Sequence, residues 1–109
     1  MGKPVVGDVV VLPFPHTNLQ VGKRRPALVV ANLPGDDLVL CQITSQVRAD
    51  GQEIVLSAAD YSQGQLAVVS YIRPGRLFTV EQSVIHYVAA KVSPAKLSEV
   101  KAKIRQLFA

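Results

Sequence analysis

The chain has 109 residues, 49% hydrophobic and 18% charged, with a formal net charge of +4 at pH 7. That length suits a single domain over 1–109, and that apolar fraction supplies a core, which excludes a disordered tail. A sequence pI near 9.5 favours an anionic partner over an acidic-substrate-repelling or neutral surface, although the last predicted helix carries part of the positive charge and defines no groove by itself.

The opening residues, Met1-Gly2-Lys3-Pro4, lack the apolar run and small-residue cleavage site of a secretion signal, and Val6 stands where a myristoylation motif needs Ser or Thr. No apolar run approaches the roughly 18 residues that span a bilayer, so no membrane partner is expected. Short β-branched runs then follow one another between turn residues: Val5 to Leu12, Ala27 to Ala31, Leu38 to Thr44, Glu53 to Leu56, Gln65 to Tyr71 and Leu77 to Val80. This is the rhythm of a small barrel or sandwich. Pro34-Gly35-Asp36-Asp37 predicts a hairpin between the second and third runs, and Asp50-Gly51 predicts another before Glu53, so these neighbours are expected to pair antiparallel. Cys41, the single cysteine, falls within the third run; it cannot form an intramolecular disulfide and is expected to be a buried thiol in a reducing, cytoplasmic protein.

From Val84 to Val92 the apolar positions satisfy strand and helix periods in part, and both remain open. Beyond it the pattern is clear. Ser93 is a good N-cap, Pro94 fits the first helical position, and Leu97, Val100, Ile104, Leu107 and Phe108 form one apolar stripe of a C-terminal amphipathic helix. Lys96, Lys101, Lys103 and Arg105 are expected on its solvated face.

Two stretches carry chemistry. Pro13 to Pro26 is long for a hairpin connection, and long connections in compact domains tend to be functional. It ends in three consecutive cations, Lys23, Arg24 and Arg25, before a proline that forces Arg25 into an extended conformation and opens the next strand. A guanidinium held there can grip a phosphate with two parallel hydrogen bonds; the alternative is that these three charges merely solubilise an edge or loop. In the third run, period-two alternation puts Gln42 and Thr44 on one face and Cys41 and Ile43 on the other. The hydroxyls of Thr44 and Ser45 can donate to a phosphate oxygen or simply cap the following turn.

In order along the chain, Gly7-Asp8-Val9-Val10-Val11-Leu12-Pro13-Phe14-Pro15, Arg25-Pro26-Ala27-Leu28-Val29-Val30, Ile43-Thr44-Ser45-Gln46, Ser70-Tyr71-Ile72-Arg73-Pro74-Gly75-Arg76-Leu77-Phe78-Thr79-Val80 and Val92-Ser93-Pro94-Ala95-Lys96-Leu97 resemble the MazF/PemK family of endoribonuclease toxins. The resemblance covers nearly the whole chain. It implies a mainly β, SH3-like small barrel of the Kid/MazF/CcdB kind with a C-terminal helix, dimerising to bind single-stranded RNA in a groove at the dimer interface and neutralised by an acidic antitoxin. It also implies a metal- and cofactor-free cleavage in which the RNA's own 2′-hydroxyl attacks the adjacent phosphorus, leaving a 2′,3′-cyclic phosphate and a 5′-hydroxyl. Such chemistry asks the protein only to orient the nucleophile, move protons and neutralise growing charge.

By this resemblance Arg25 takes the family's catalytic arginine position and Thr44 its catalytic threonine position. Gln20 falls where several members carry a glutamate suggested as general base, and an amide cannot take a proton at neutral pH, so the base is in doubt. His16, in the same loop, titrates near neutrality and is a second candidate. Lys23, Arg24, Ser45 and Gln46 are expected to contact RNA. So are Arg73 and Arg76, since Phe78 replaces an arginine that some members carry, although Arg73-Pro74-Gly75 reads equally as a turn. His86 matches no motif and reads as structural. Base specificity is expected from Pro15 to Lys23 and Arg48 to Glu53. The competing readings are a CcdB-like gyrase poison or degenerate RNA-binding relative on the same barrel, and an adaptor that binds an extended peptide.

Overall fold

Asp8–Pro13 (β1) is a run of valines and a leucine in which Val9, Val10, Val11 and Leu12 are all buried, so this strand is covered on both faces. It lies near the middle of a sheet built from β2 (Arg24–Asn32), β3 (Asp37–Thr44), β4 (Ile54–Leu56), β5 (Tyr61–Gly64), β6 (Ser70–Glu81) and β7 (Tyr87–Val92), followed by helix α1 (Pro94–Leu107). The computed structural model describes residues 2–13, 23–47 and 51–109. Every ladder is antiparallel, and the strand order is β4-β6-β3-β2-β1-β7-β5. The sheet curls into a half-barrel, and no ladder joins its edges β4 and β5 among the described residues.

The two faces hold separate cores. One contains Val9, Leu28, Cys41, Ile43, Ile54, Leu56 and Ile72 and is closed by Val100 of α1, with Leu97 and Ile104 packed against it. The other contains Val10, Leu12, Ala27, Val29, Leu38 and Leu40 and is covered by Phe78, Val80 and Ile85. Cys41 is buried in the first core, where its thiol donates to the Arg73 carbonyl at 2.9 Å. Burial pushes its pKa up to about 12, which makes it an inert packing residue.

The second and third strands pair through the expected hairpin, with Gly35 at φ 76°. Other expectations need correction. The run before Gly51 does not form a hairpin with β4: β3 already has β2 and β6 on its two edges, so the three-residue β4 joins the free edge of β6. Residues 65–69, expected to begin a strand, form a connection instead, and β5 ends earlier at Gly64. Ser70 to Glu81 is one strand rather than two, because Arg73-Pro74-Gly75 does not turn the chain. On β3, Cys41 and Gln42 are consecutive, while their partners Leu77 and Arg73 are separated by Pro74, Gly75 and Arg76, which form a bulge. Pro74 is fully buried and gives this bulge its anchor. Of the ambiguous stretch 84–92, Tyr87–Val92 is strand, and a 3₁₀ turn at Gln82–Val84 precedes it.

Helix α1 starts as expected, the Ser93 hydroxyl accepting from the Lys96 N–H at 3.2 Å with Pro94 next. Its far end departs from the expected stripe: Leu107 and Phe108 are exposed, Phe108 by 78%. Lys96 is also not on a solvated face. It is only 7% exposed, and its ammonium lies 2.9 Å from Glu99 Oε1 and 3.7 Å from Asp60 Oδ1. Asp60 in turn accepts from the Ser57 N–H at 2.8 Å and from the Ser57 hydroxyl at 3.1 Å, and its own carbonyl accepts from the Ser93 N–H at 2.7 Å. The single turn Ala58–Asp60 is thereby tied to the start of α1.

The Ser57 N–H, then its hydroxyl and the Lys96 charge, hold the Asp60 carboxyl below its ordinary value of 3.8, against a smaller opposing effect of burial. A depressed folded-state pKa contributes stability that is present above that ordinary value and lost as pH falls through the folded one. Urea midpoints are therefore expected to drop as pH is lowered past 3.8, and to drop less in Asp60→Asn, which starts weaker at neutral pH. An Asp60→Asn protein with the wild-type acid profile would remove this carboxylate as the source.

Candidate functional site

The β2–β3 register sets the site. Ala27 lies opposite Gln42 at the end of the β2–β3 ladder, and both strands run on two residues further, to the level of Arg25 and Thr44. Arg25 also faces Leu12 on β1, so its backbone is fixed between two strands at the rim of the sheet. Beyond Thr44 the row continues to Tyr71 on β6 and Val55 on β4.

At this rim lies a recess of about 400 Å³ lined by Lys23, Arg24, Arg25, Pro26, Ile43, Thr44, Ser45, Gln46, Leu66, Ala67, Val68 and Ser70. Six of the sequence candidates thus share one cavity, and three of its lining residues are cationic. Among the described residues no carboxylate lines it, so their positive charge favours an anion in the recess. Arg25 is half-buried, with its Nε sealed from solvent and lacking a hydrogen-bond partner. An unpaired buried donor costs free energy until an acceptor arrives.

Thr44 is 8% exposed, and its hydroxyl oxygen accepts from the Gln46 N–H at 3.1 Å. That bond is the local turn cap weighed above. It uses a lone pair and leaves the hydroxyl proton to donate to a ligand, so capping and anion binding are compatible in one side chain. Ser70, buried at the floor, donates instead to the Val68 carbonyl at 3.0 Å and thereby shapes the 66–69 connection.

Arg73 and Arg76 are not in this recess. The β6 bulge carries them into a neighbouring one of about 200 Å³, lined by Gln52, Glu53, Arg73, Gly75 and Arg76. His16 and Gln20 lie outside the described residues, as do Arg48 to Asp50. His86 is exposed, and its backbone N–H donates to the Val11 carbonyl at 2.8 Å. Among the described residues no three His, Cys, Asp or Glu side chains gather as metal ligands would. No helix among them is long and apolar enough to cross a membrane.

Leu66, Ala67 and Val68 were missed as site residues because an apolar run reads as a strand. The available signal was Gly64, a strand terminator just before them. They supply an apolar wall facing the cations, a combination suited to a ligand with both a flat apolar face and a charged group.

The fold and the site together define a small half-barrel protein, capped by one helix, with a cationic recess at the rim of its central strands. Residues 6–108 match the family of PemK-like, MazF-like toxins of type II toxin-antitoxin systems. The chain belongs to that family. Among solved structures it is similar to a MazE–MazF complex of Deinococcus radiodurans, with a TM-score of 0.78 at 23% identity over 100% of this chain and 98% of that one. It is likewise similar to an endoribonuclease in complex with its cognate antitoxin from a Mycobacterial species, with a TM-score of 0.74 at 16% identity over 96% and 94% of the two chains. MazF of Deinococcus radiodurans alone gives a TM-score of 0.74 at 24% identity over 99% and 98%. Compared by sequence with curated proteins, the chain matches none. The structural likeness bears on the fold, and the family match carries the assignment.

Proposed function

We propose that this chain is the toxin of a type II pair and acts as an endoribonuclease on single-stranded RNA. The observation that carries this reading is the placement of Arg25 and Thr44 in one cationic recess. The 2′-hydroxyl of the substrate attacks its own phosphorus, the bond to the 5′-oxygen breaks, and the products are a 2′,3′-cyclic phosphate and a 5′-hydroxyl. Arg25 neutralises the charge growing on the phosphoryl oxygens, and the leaving 5′-oxygen takes a proton from water to become the 5′-hydroxyl. The Thr44 hydroxyl donates to a nonbridging oxygen, and the exposed Lys23 and Arg24 hold the flanking backbone. These contributions are positioning and electrostatic stabilisation, which suffice where the substrate supplies its own nucleophile.

Among the described residues no carboxylate lines the recess to serve as base, and Gln20 cannot titrate; we assign the proton of the 2′-hydroxyl to His16, the titratable side chain of the 14–22 segment. The whole chain acts as one domain, pairs with a second copy to build a groove spanning two recesses, and works in the cytoplasm. An acidic antitoxin segment silences it by occupying the cationic rim.

The test is end mapping on a defined single-stranded RNA in EDTA. Cyclic phosphate and 5′-hydroxyl ends are expected, the matched DNA is left intact because it has no 2′-hydroxyl, and His16→Ala is expected to flatten the rise of rate with pH through about 6.5. Tight RNA binding without any cut would instead assign the recess to a non-enzymatic binder.

A further inference from the structure

The second recess holds an unsatisfied acceptor. Glu53 Oε2 is sealed from solvent and has no hydrogen-bond partner, and leaving a buried carboxylate oxygen unpaired is costly. The β4–β6 ladder ends where Ile54 pairs with Ile72; Glu53 directly precedes it and lines one recess with Arg73, which itself lies opposite Gln42. Gln42 lies two residues before Thr44 on β3 and on the same face, with the row of Ile43 and Ile72 between them. From sheet spacings alone, the Thr44 and Arg73 backbones are roughly 8 Å apart. The bulge adds Arg76, exposed, and Gly75, whose missing side chain leaves room: a Cβ there would meet nothing within 4 Å. Glu53 also borders a recess on the α1 side that contains Lys103, yet no ion pair joins them.

We infer that the recess of Glu53 and Arg76 is a guanine subsite, reading a base that neighbours the phosphate held by Arg25 and Thr44. A volume of about 200 Å³ is below the range of whole-ligand pockets and fits one planar ring system. Its lining demands a ligand with N–H donors on one edge and acceptors on another. Guanine presents N1–H and the N2 amine side by side for the carboxylate, and O6 and N7 for an arginine fork. Uracil offers a single donor, and adenine and cytosine present an amine without an adjacent ring N–H, so none of them matches both partners. The inference rests on the proposed function for the neighbouring phosphate, while the base preference can be measured without any cleavage.

Single-stranded oligodeoxynucleotides, which have no 2′-hydroxyl to attack, are the probe, with one varied position carrying guanine, hypoxanthine, adenine, cytosine or uracil. Fluorescence anisotropy should show guanine binding about tenfold tighter than the other natural bases at one position. Hypoxanthine, which lacks only the N2 amine, should lose most of that advantage. Glu53→Gln should level guanine with hypoxanthine by weakening the guanine strand, and end mapping on a randomised RNA pool should lose guanine at a fixed distance from the cut. A wild type indifferent to the base overturns the subsite, and if it also binds an arginine-bearing peptide the carboxylate belongs to a protein partner. Retained guanine preference in Glu53→Gln overturns it equally. Should that variant fail to fold, the guanine–hypoxanthine comparison on wild type decides alone. A protein that prefers guanine but never cuts RNA sinks the nuclease reading and keeps the subsite.

Discussion

Arg25→Ala is expected to lower RNA cleavage by about 10²- to 10³-fold, the usual effect of removing one preorganised donor to a developing oxyanion, and to leave the protein at least as stable as before. The two halves of that expectation have one cause. Arg25 Nε is buried without a partner, so in the free protein the guanidinium pays desolvation and gains little in return; truncating it removes the strain along with the function. A side chain kept for packing would show the opposite, with loss of stability accompanying any loss of rate. Arg25→Lys should recover only part of the activity, because an ammonium replaces charge but not the planar fork. Inorganic phosphate should raise the melting temperature of the wild type and not of Arg25→Ala, since only a protein that binds the anion is stabilised by it. Cleavage at the wild-type rate in Arg25→Ala would end the assignment of the recess as the reaction centre.

The positions of Arg25 and Thr44 were legible as motif residues, but their meeting was not. It follows from the β2–β3 register, which the turn around Gly35 and the irregularity between Val29 and Ala31 set together and which a slip of one residue would send to opposite faces. β1, β2, β3 and the capped start of α1 were legible for the reason that local rules decide them: β-branched runs, a Pro-Gly turn, and a Ser-Pro helix entry. β6 was not, because Pro74-Gly75 carries the chemistry of a turn, and only the burial of Pro74 beneath a continuing ladder converts it into a bulge. That bulge is also what separates Arg73 and Arg76 from the first recess. Lys96 escaped for a different reason. A helical wheel assigns it to solvent, and its partner Asp60 comes from a 3₁₀ turn that no helical period can reveal. Glu53 was visible as part of a loop expected to read bases; that one oxygen of its carboxylate is sealed without a partner depends on the fold around it.

Gly64→Ala is expected to be the most damaging of the small substitutions, and Gly35→Ala provides its control. Both glycines have positive φ, 60° and 76° respectively, so each alanine pays the left-handed penalty of about 1–2 kcal/mol. At Gly35 nothing lies within 4 Å of an added Cβ, and that penalty is the whole effect. At Gly64 the Cβ would sit 2.8 Å from the Ala89 carbonyl oxygen and 3.3 Å from the Ala90 Cα, both backbone atoms. β7 cannot retreat, for Ala90 is itself paired to Val9 of β1 and buried in the core. Overpacking of that kind adds about 1–3 kcal/mol, so thermal denaturation should place Gly64→Ala more than about 10 °C below wild type and Gly35→Ala roughly half as far. Equal shifts would mean that β5 yields freely and that the close approach carries no weight. Because β5 leads directly into Leu66, Ala67 and Val68, the apolar wall of the recess, any β5 displacement that relieves the contact also moves that wall. The surviving folded fraction of Gly64→Ala is therefore expected to raise KM for RNA more than it lowers kcat, while Gly35→Ala changes neither.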